Sequence, residues 1–188
     1  MNVIATAKAF NQRAASRNWH QAVDPTLAFS TPYYDPLLAL WRAKAGDKKI
    51  PARSQMTPRD LKDYLRHIIM IQREPDDHYR WRLIGTSVTD IVGHHTGKLL
   101  DDCVPGEHLQ RWRESCELIL SSDQPWRFLG RVQLNGREYL KAENLYMPLA
   151  DDNGVPSFVM GLCRYSQRRH DNDELSEDEA LSVPGALL

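Results

Sequence analysis

The sequence predicts an α+β fold in which five short antiparallel strands form one sheet, with helical segments before and between them. Three observations predict it. Apolar residues recur every second position in short runs such as Tyr79, Trp81 and Leu83, the period of a strand with one covered face. They recur at helical spacing in longer stretches such as Leu109, Trp112, Cys116 and Ile119. Asn135-Gly136 stands between two strand-like runs and is the strongest two-residue hairpin signal in the chain.

Taken in order, residues 1 to 22 read as a helix through Ile4, Ala7 and Phe10, whose weak apolar stripe needs a partner surface. Pro25 and Pro32 interrupt it. From Tyr34 a second helix carries Leu37, Leu38, Leu40 and Trp41 on one face, with Gly46 suited to its C-terminal cap. Thr57 caps a third helix with Pro58 first and Asp60 third, a near relative of the capping box, so that Leu61, Tyr64 and Leu65 face inward. Ile68 to Ile71 is an apolar run ending at the turn Glu74-Pro75-Asp76-Asp77, and with the Tyr79–Leu83 run it makes an antiparallel pair. Ser87 and Asp90 cap a short helix bearing Val88, Ile91 and Val92, which Gly93 stops. After a turn-rich link the longest helix runs from about Glu107 to Ser121.

Three strands complete the sheet. Trp126, Phe128, Val132 and Leu134 alternate with Arg127, Arg131 and Gln133, and the partner strand runs from Arg137 towards Leu149. Asp151 to Gly154 supplies a turn, and Val155 to Tyr165 is apolar on both faces, as suits a central strand. The expected division is an N-terminal helical extension (1–33), one domain (34–166) and a charged, mobile tail (167–188).

Composition excludes several classes of function. The 188 residues allow one ordinary domain with flanking segments. Lys and Arg number 24 against 25 Asp and Glu, so no whole-chain field draws in nucleic acid or an anionic membrane. Cys103, Cys116 and Cys163 are odd in number and far apart, which is neither a disulfide framework nor a zinc spacing. No apolar run approaches the roughly 18 residues of a membrane span. The stretch before Asp24, the first acidic residue, is rich in Ala, Asn, Arg and Ser and superficially suits an organelle transit peptide. An Ala-rich surface helix has the same composition, and the expected location is the cytoplasm.

The order of elements resembles the PAS domain. More specifically, I-P-A-R-S at Ile50 to Ser54, Gly85-Thr86, and T-G-K-x-L-D at Thr96 to Asp101 resemble the bacterial PAS-5 subfamily of stand-alone sensor-like domains, over roughly Tyr34 to Tyr165. The family pattern G-R-D-x-T-G is written here G-H-H-T-G, so an Arg and an Asp are replaced between Gly93 and Gly97. The resemblance implies a PAS-like five-stranded antiparallel sheet with helices on one face, closing over a pocket, plus N-terminal helices. It also implies signal sensing by small-molecule binding, often through homodimers. Within these residues no kinase, cyclase or DNA-binding domain follows, so output is expected in trans.

Candidate sites follow from residue type. His94-His95 invites a heme or metal reading, but no C-x-x-C and no second His at helix spacing completes a site, and the pair reads as a polar turn between glycines. Cys103, in D-D-C-V-P, lacks the Arg-Phe-Leu-Gln context of a covalent flavin photosensor, so covalent flavin photochemistry is not expected; heme and non-covalent flavin are disfavoured alternatives that stay open, and the cofactor is unassigned. Trp81, Leu83, Ile91, Trp112, Trp126, Phe128, Asn144, Tyr146, Met147, Phe158 and Met160 are the candidate pocket, since such pockets are apolar with a few convergent polar groups. Arg80, Arg82, Arg127 or Asn144 would anchor a ligand, an Arg gripping a carboxylate in bidentate fashion. Arg53 is expected as a structural clamp, pairing with an acid across the domain. No hydrolase, metalloprotease or phosphate-loop motif is present, and no enzyme is expected. The acidic run Asp171 to Glu179 reads as a solvated tail, with Leu175 and Leu181 suiting a partner-binding helix. The expected function is a sensory or regulatory module that binds an unidentified small molecule and signals to a second copy or a regulatory protein. The alternative is an interaction scaffold or dimerisation module with a fully packed, ligand-free core.

Overall fold

The structure is a computed structural model and describes residues 2–132 and 139–167. Its first helix, α1 (Val3–Ser16), starts where the Asn2 side chain accepts the Ala5 N–H at 3.1 Å. Ala7, Phe10 and Ala14 lie on one stripe and are buried, while Ile4 faces outward. The helix ends short of the expected residue 22, because Asn18 and His20 take positive φ values of 54° and 44° and reverse the chain. The next residues form a strand, β1 (Gln21–Asp24). It pairs antiparallel with β4 (Trp126–Arg131) and gives the sheet six strands instead of five.

The other strands stand as the periodicity predicts. They are β2 (Ile68–Arg73), β3 (Tyr79–Ile84), β5 (Leu140–Ala150) and β6 (Pro156–Gln167), and the order is β1-β4-β5-β6-β2-β3, every pairing antiparallel. The Asn135-Gly136 dipeptide, the start of its partner strand at Arg137 and the tail beyond Gln167 lie outside the described residues.

Both faces of the sheet are covered. On one face α1, α4 (Thr86–Val92), α5 (Leu100–Cys103) and α6 (Gly106–Ser122) enclose Phe10, Ile71, Trp81, Ile119, Trp126 and Phe128. On the other, α2 (Asp35–Ala45) lays Leu37, Leu38 and Trp41 over Leu145, Met147 and Met160. Trp41 Nε1 donates to the Pro148 carbonyl at 2.9 Å, satisfying the one polar atom of an otherwise apolar side chain. Gly46 caps α2 at φ 56°, a left-handed conformation that glycine adopts without strain.

Two local expectations are corrected. The capping box at Thr57 and Asp60 forms, but α3 (Pro58–Leu61) lasts one turn and leaves Leu65 at the surface. Ser87 is not the cap of α4. Gly85 occupies that position, and the Ser87 hydroxyl instead accepts from Arg66 Nε at 3.0 Å.

The recognisable motifs turn out to be stitching. In I-P-A-R-S, the Pro51 carbonyl accepts the Ala150 N–H at 2.9 Å and Ala52 bridges Ala150, so the α2–α3 linker runs beside the end of β5. In T-G-K-x-L-D, the Gly97 N–H donates to Trp81 O at 2.7 Å and the Trp81 N–H to Lys98 O at 3.0 Å, a short ladder along the free edge of β3. Edge groups left open template aggregation. Asp101 then joins His78, at 3.3 Å, to Arg113 on α6. Burial alone would raise its carboxyl, but His78 and Arg113 hold it below the usual carboxylate range.

Candidate functional site

A cavity of about 80 Å³ lies between α6 and the β4–β5 part of the sheet. Helical spacing brings Arg111, Trp112, Ser115, Cys116 and Ile119 of α6 to its wall. Strand parity brings Phe128 of β4 and Asn144 and Tyr146 of β5 to the facing wall, with Val159 and Tyr165 of β6 behind them. Phe128 and Asn144 are directly opposed across the strands, and the Phe128 and Tyr146 rings meet edge to face at 4.9 Å. Ile91 of α4 closes one end.

The polar groups on this wall are mostly committed to one another. Asn144 Nδ2 donates to Tyr146 Oη at 3.3 Å, and Asn144 Oδ1 accepts the Arg164 N–H at 3.2 Å. Gln21 Nε2 donates to Ser115 Oγ at 2.9 Å, joining β1 to α6 across the rim. Arg111 is buried and donates to the Trp19 carbonyl at 3.3 Å. Burial disfavours its charge and lowers its pKa. Burial likewise pushes the Cys116 and Cys163 thiols up to about 12, so both are protonated at neutral pH and serve as small apolar side chains. Cys103 is raised by burial as well.

Of the candidate pocket residues, Ile91, Trp112, Phe128, Asn144 and Tyr146 line the cavity. Trp81 and Trp126 belong to the same side of the core without reaching it, Trp81 packing edge to face on Trp112 at 5.1 Å. Leu83, Met147, Phe158 and Met160 lie on the other side, in the cluster under α2. Period-2 geometry explains the split on β5, where Met147 follows Tyr146 and points to the opposite face. On β3 a bulge does so, since Leu83 and Trp81 oppose the consecutive residues Met70 and Ile71 of β2 and so lie on opposite faces. Among the suggested anchors only Asn144 faces the cavity. Arg80 reaches Glu74 at 2.8 Å and the Gly97 carbonyl at 2.8 Å, Arg82 reaches Gln72 at 2.6 Å and Glu74 at 3.1 Å, and Arg127 is taken up by carboxylates on the α2 side.

Residues that the sequence did not single out are Gln21, Arg111, Ser115, Val159 and Tyr165. Arg111 and Ser115 had a signal, since they are four apart on α6 and adjoin the Trp112–Cys116 stripe. Gln21 had none without β1.

Among the described residues Arg53 does not have the clamping geometry expected of it. Arg53 is exposed, in the 3₁₀ turn Arg53–Gln55, and forms no ion pair with a described residue. Arg127 takes the clamping geometry. Its guanidinium lies 3.0 Å from Asp24 Oδ2 and 2.7 Å from Glu143 Oε1, with Asp24 fully buried. Glu143 also accepts from the Ser30 N–H at 3.0 Å and from its hydroxyl.

At Gly161 an added Cβ would fall 2.4 Å from Tyr146 Cε1 and 2.8 Å from Ile69 Cγ1. Gly161→Ala is therefore expected to drive the Tyr146 ring towards the cavity and to cost about 1–3 kcal/mol in urea unfolding, the usual penalty for overpacking.

His94-His95 occupies a turn bounded by Gly93 at φ 98° and Gly97 at φ 89°. His94 is exposed, and the His95 ring packs over Gly93. Among the described residues no group of three His, Cys, Asp or Glu is placed to hold a metal. A wider groove of about 350 Å³, lined by Tyr33, His67, Ser87, Asp90 and Arg164, shares Ile91 and Tyr165 with the cavity. Arg164 stacks over the Tyr33 ring there at 4.5 Å.

A family profile described as a PAS domain, of the PAS-5 group, matches residues 31–164. Among solved structures, one described as an RNA-binding light-oxygen-voltage receptor is similar at 12% identity and TM-score 0.38. The match covers 59% of this chain and 33% of that one, so this chain spans about a third of that relative. Another, the PAS-B domain of Drosophila melanogaster Cycle in a tryptophan-to-alanine variant with bound glycerol, is similar at 11% identity and TM-score 0.37. That match covers 54% of this chain and 98% of the other. No curated protein matches this chain significantly. No helix among the described residues is long and apolar enough to cross a membrane.

Proposed function

The chain belongs to the PAS domain family, a family of sensory and interaction modules that are usually non-catalytic, and on that premise we propose that it senses a small molecule held between α6 and β4–β5. The observation that carries this reading is the cavity itself, an apolar space with Trp112, Asn144 and Arg111 at its wall. Its size limits the occupant. An engineered cavity of about 150 Å³ holds benzene, so about 80 Å³ suits a molecule of a few heavy atoms and leaves no room for a flavin or a heme.

The N-terminal segment is placed to report occupancy. Arg13 of α1 pairs with Glu114 of α6 at 2.9 Å, Arg17 pairs with the same carboxylate, and Gln21 of β1 bonds Ser115. A ligand that shifts α6 relative to β4 therefore strains contacts with α1 and β1, which a second copy or a regulatory protein would read.

The test is thermal unfolding of the purified protein across a panel of small metabolites. A ligand at about 100 times its Kd adds about 2.7 kcal/mol, a rise in Tm of about 5–10 °C in a chain of this size. No shift across the panel, together with a bare mass in native mass spectrometry, would overturn the reading. The small cavity volume, below the roughly 300–1,000 Å³ of drug-sized pockets, favours the interaction scaffold as the second reading. Its mark would be association that rises with protein concentration while no ligand binds.

A further inference from the structure

We infer that the groove bounded by Tyr33, His67, α4 and the end of β6 is a second binding site, which takes a small zwitterion with its carboxylate on Arg164 and its ammonium on Asp90. The charged side chains that line this groove are one of each sign, Arg164 of β6 and Asp90 of α4. Neither forms an ion pair or a side-chain hydrogen bond with a described residue. By contrast, Arg73, Arg80, Arg82 and Arg127 are each bound to a carboxylate.

Arg164 is held in place without being used up. Its guanidinium lies over the Tyr33 ring at 4.5 Å, and that ring is itself packed edge to face against Tyr34, Tyr64 and His67 at 5.9, 5.7 and 6.3 Å. Stacking occupies the face of the guanidinium and leaves its edge of N–H donors free for a bidentate carboxylate. Arg66, bonded to Ser87 Oγ at 3.0 Å, brings a second positive charge to the same wall. That field shows in His67, which burial and then Arg66 and Arg164 hold below the ordinary histidine value. An anion alone would be repelled by Asp90, whereas an ammonium on the same molecule turns that charge into a partner. Tyr33, Ile91 and Tyr165 supply apolar surface for the body of the molecule. The volume of about 350 Å³ suits about twelve to fourteen heavy atoms when scaled from a benzene-sized cavity, the size of an aromatic amino acid.

The experiment is isothermal titration calorimetry of the full chain with three probes of one shape: L-phenylalanine, 3-phenylpropionate, which lacks the amine, and 2-phenylethylamine, which lacks the carboxylate. L-phenylalanine is expected to bind, and each analogue to bind about tenfold or more weakly, the weight of one hydrogen bond to a charged group. Arg164→Gln is expected to weaken L-phenylalanine by a similar factor without weakening 2-phenylethylamine, and Asp90→Asn to weaken it without weakening 3-phenylpropionate. Both residues are exposed, and thermal unfolding checks that the variants keep the fold. No binding of L-phenylalanine, either analogue binding as tightly as it does, or binding indifferent to the two substitutions would overturn the assignment. Each of these outcomes leaves the reading of the α6 cavity untouched, since about 80 Å³ is too small for any of the three probes.

Discussion

Arg127→Ala is expected to destabilise the fold by about 3–5 kcal/mol, the cost of leaving a buried charge without its partner. Arg127 stands on β4 between Asp24 of β1 and Glu143 of β5, with its side chain 12% exposed and that of Asp24 1% exposed. Removing the guanidinium strands a carboxylate that water cannot reach, and it releases the segment from β1 to Ser30, which Glu143 holds. Urea unfolding measures the loss, and a change below about 1 kcal/mol would show that the pair behaves as a screened surface bridge. The same site predicts an acid limb. Burial alone would raise the Asp24 carboxyl, but hydrogen bonds from the Thr26 hydroxyl and N–H, with Arg127, bring its pKa below the ordinary value. A carboxylate depressed in the folded state stabilises fully above its unfolded value, about 3.9, and that stabilisation is lost as pH falls through the folded value. Stability of the native sequence should therefore decline more steeply below about pH 4 than that of Asp24→Asn, which has no such proton to take up. Parallel acid limbs would rule out the contribution.

Much of the fold was legible because its motifs constrain backbone. I-P-A-R-S and T-G-K-x-L-D work through main-chain bonds at Pro51, Gly97 and Lys98, and Gly97 makes its bond at φ 89°, a backbone conformation that few residues other than glycine adopt. The strand β1 was not legible. Its four residues place Ala22, Val23 and Asp24 in the interior one after another, so no two-residue alternation marks them. The site was legible only in half for a related reason. Leu145 to Ala150 are buried in an unbroken run because α2 covers one face of β5 and α6 the other. Hydrophobicity alone then cannot tell Tyr146 from Met147, and the parity that separates them is settled only by which helix lies on which face. Arg53 and Arg127 make the same point for charge: both follow plausible motifs, and only pairing in three dimensions distinguishes the exposed arginine from the one that clamps.

Gly85→Ala is expected to cost about 3 kcal/mol, at the upper end of overpacking penalties, although its backbone is ordinary. With φ −64° and ψ 152° Gly85 sits in extended space open to any residue, so conformational freedom is not what demands glycine there. Space is. A Cβ at this position would fall 2.2 Å from the Leu65 carbonyl oxygen and 2.5 Å from the Arg66 carbonyl carbon, and backbone cannot rotate aside as a side chain can. Nor can Gly85 retreat. Its N–H donates to the Ile68 carbonyl at 2.8 Å, and its own carbonyl accepts from the N–H groups of Val88 and Thr89, each at 2.9 Å. The residue thus closes the β2–β3 pair and opens α4 at once, and a shift that relieves the clash breaks one of these. Gly46→Ala is the control, because Gly46 has open space around it but φ 56° with ψ −125°, so its cost of about 1–3 kcal/mol is backbone strain alone. Urea unfolding of the two variants separates crowding from strain. A Gly85→Ala loss no larger than that of Gly46→Ala would mean that the turn Leu65–His67 yields, and that the close approach is not what holds α4 against β2.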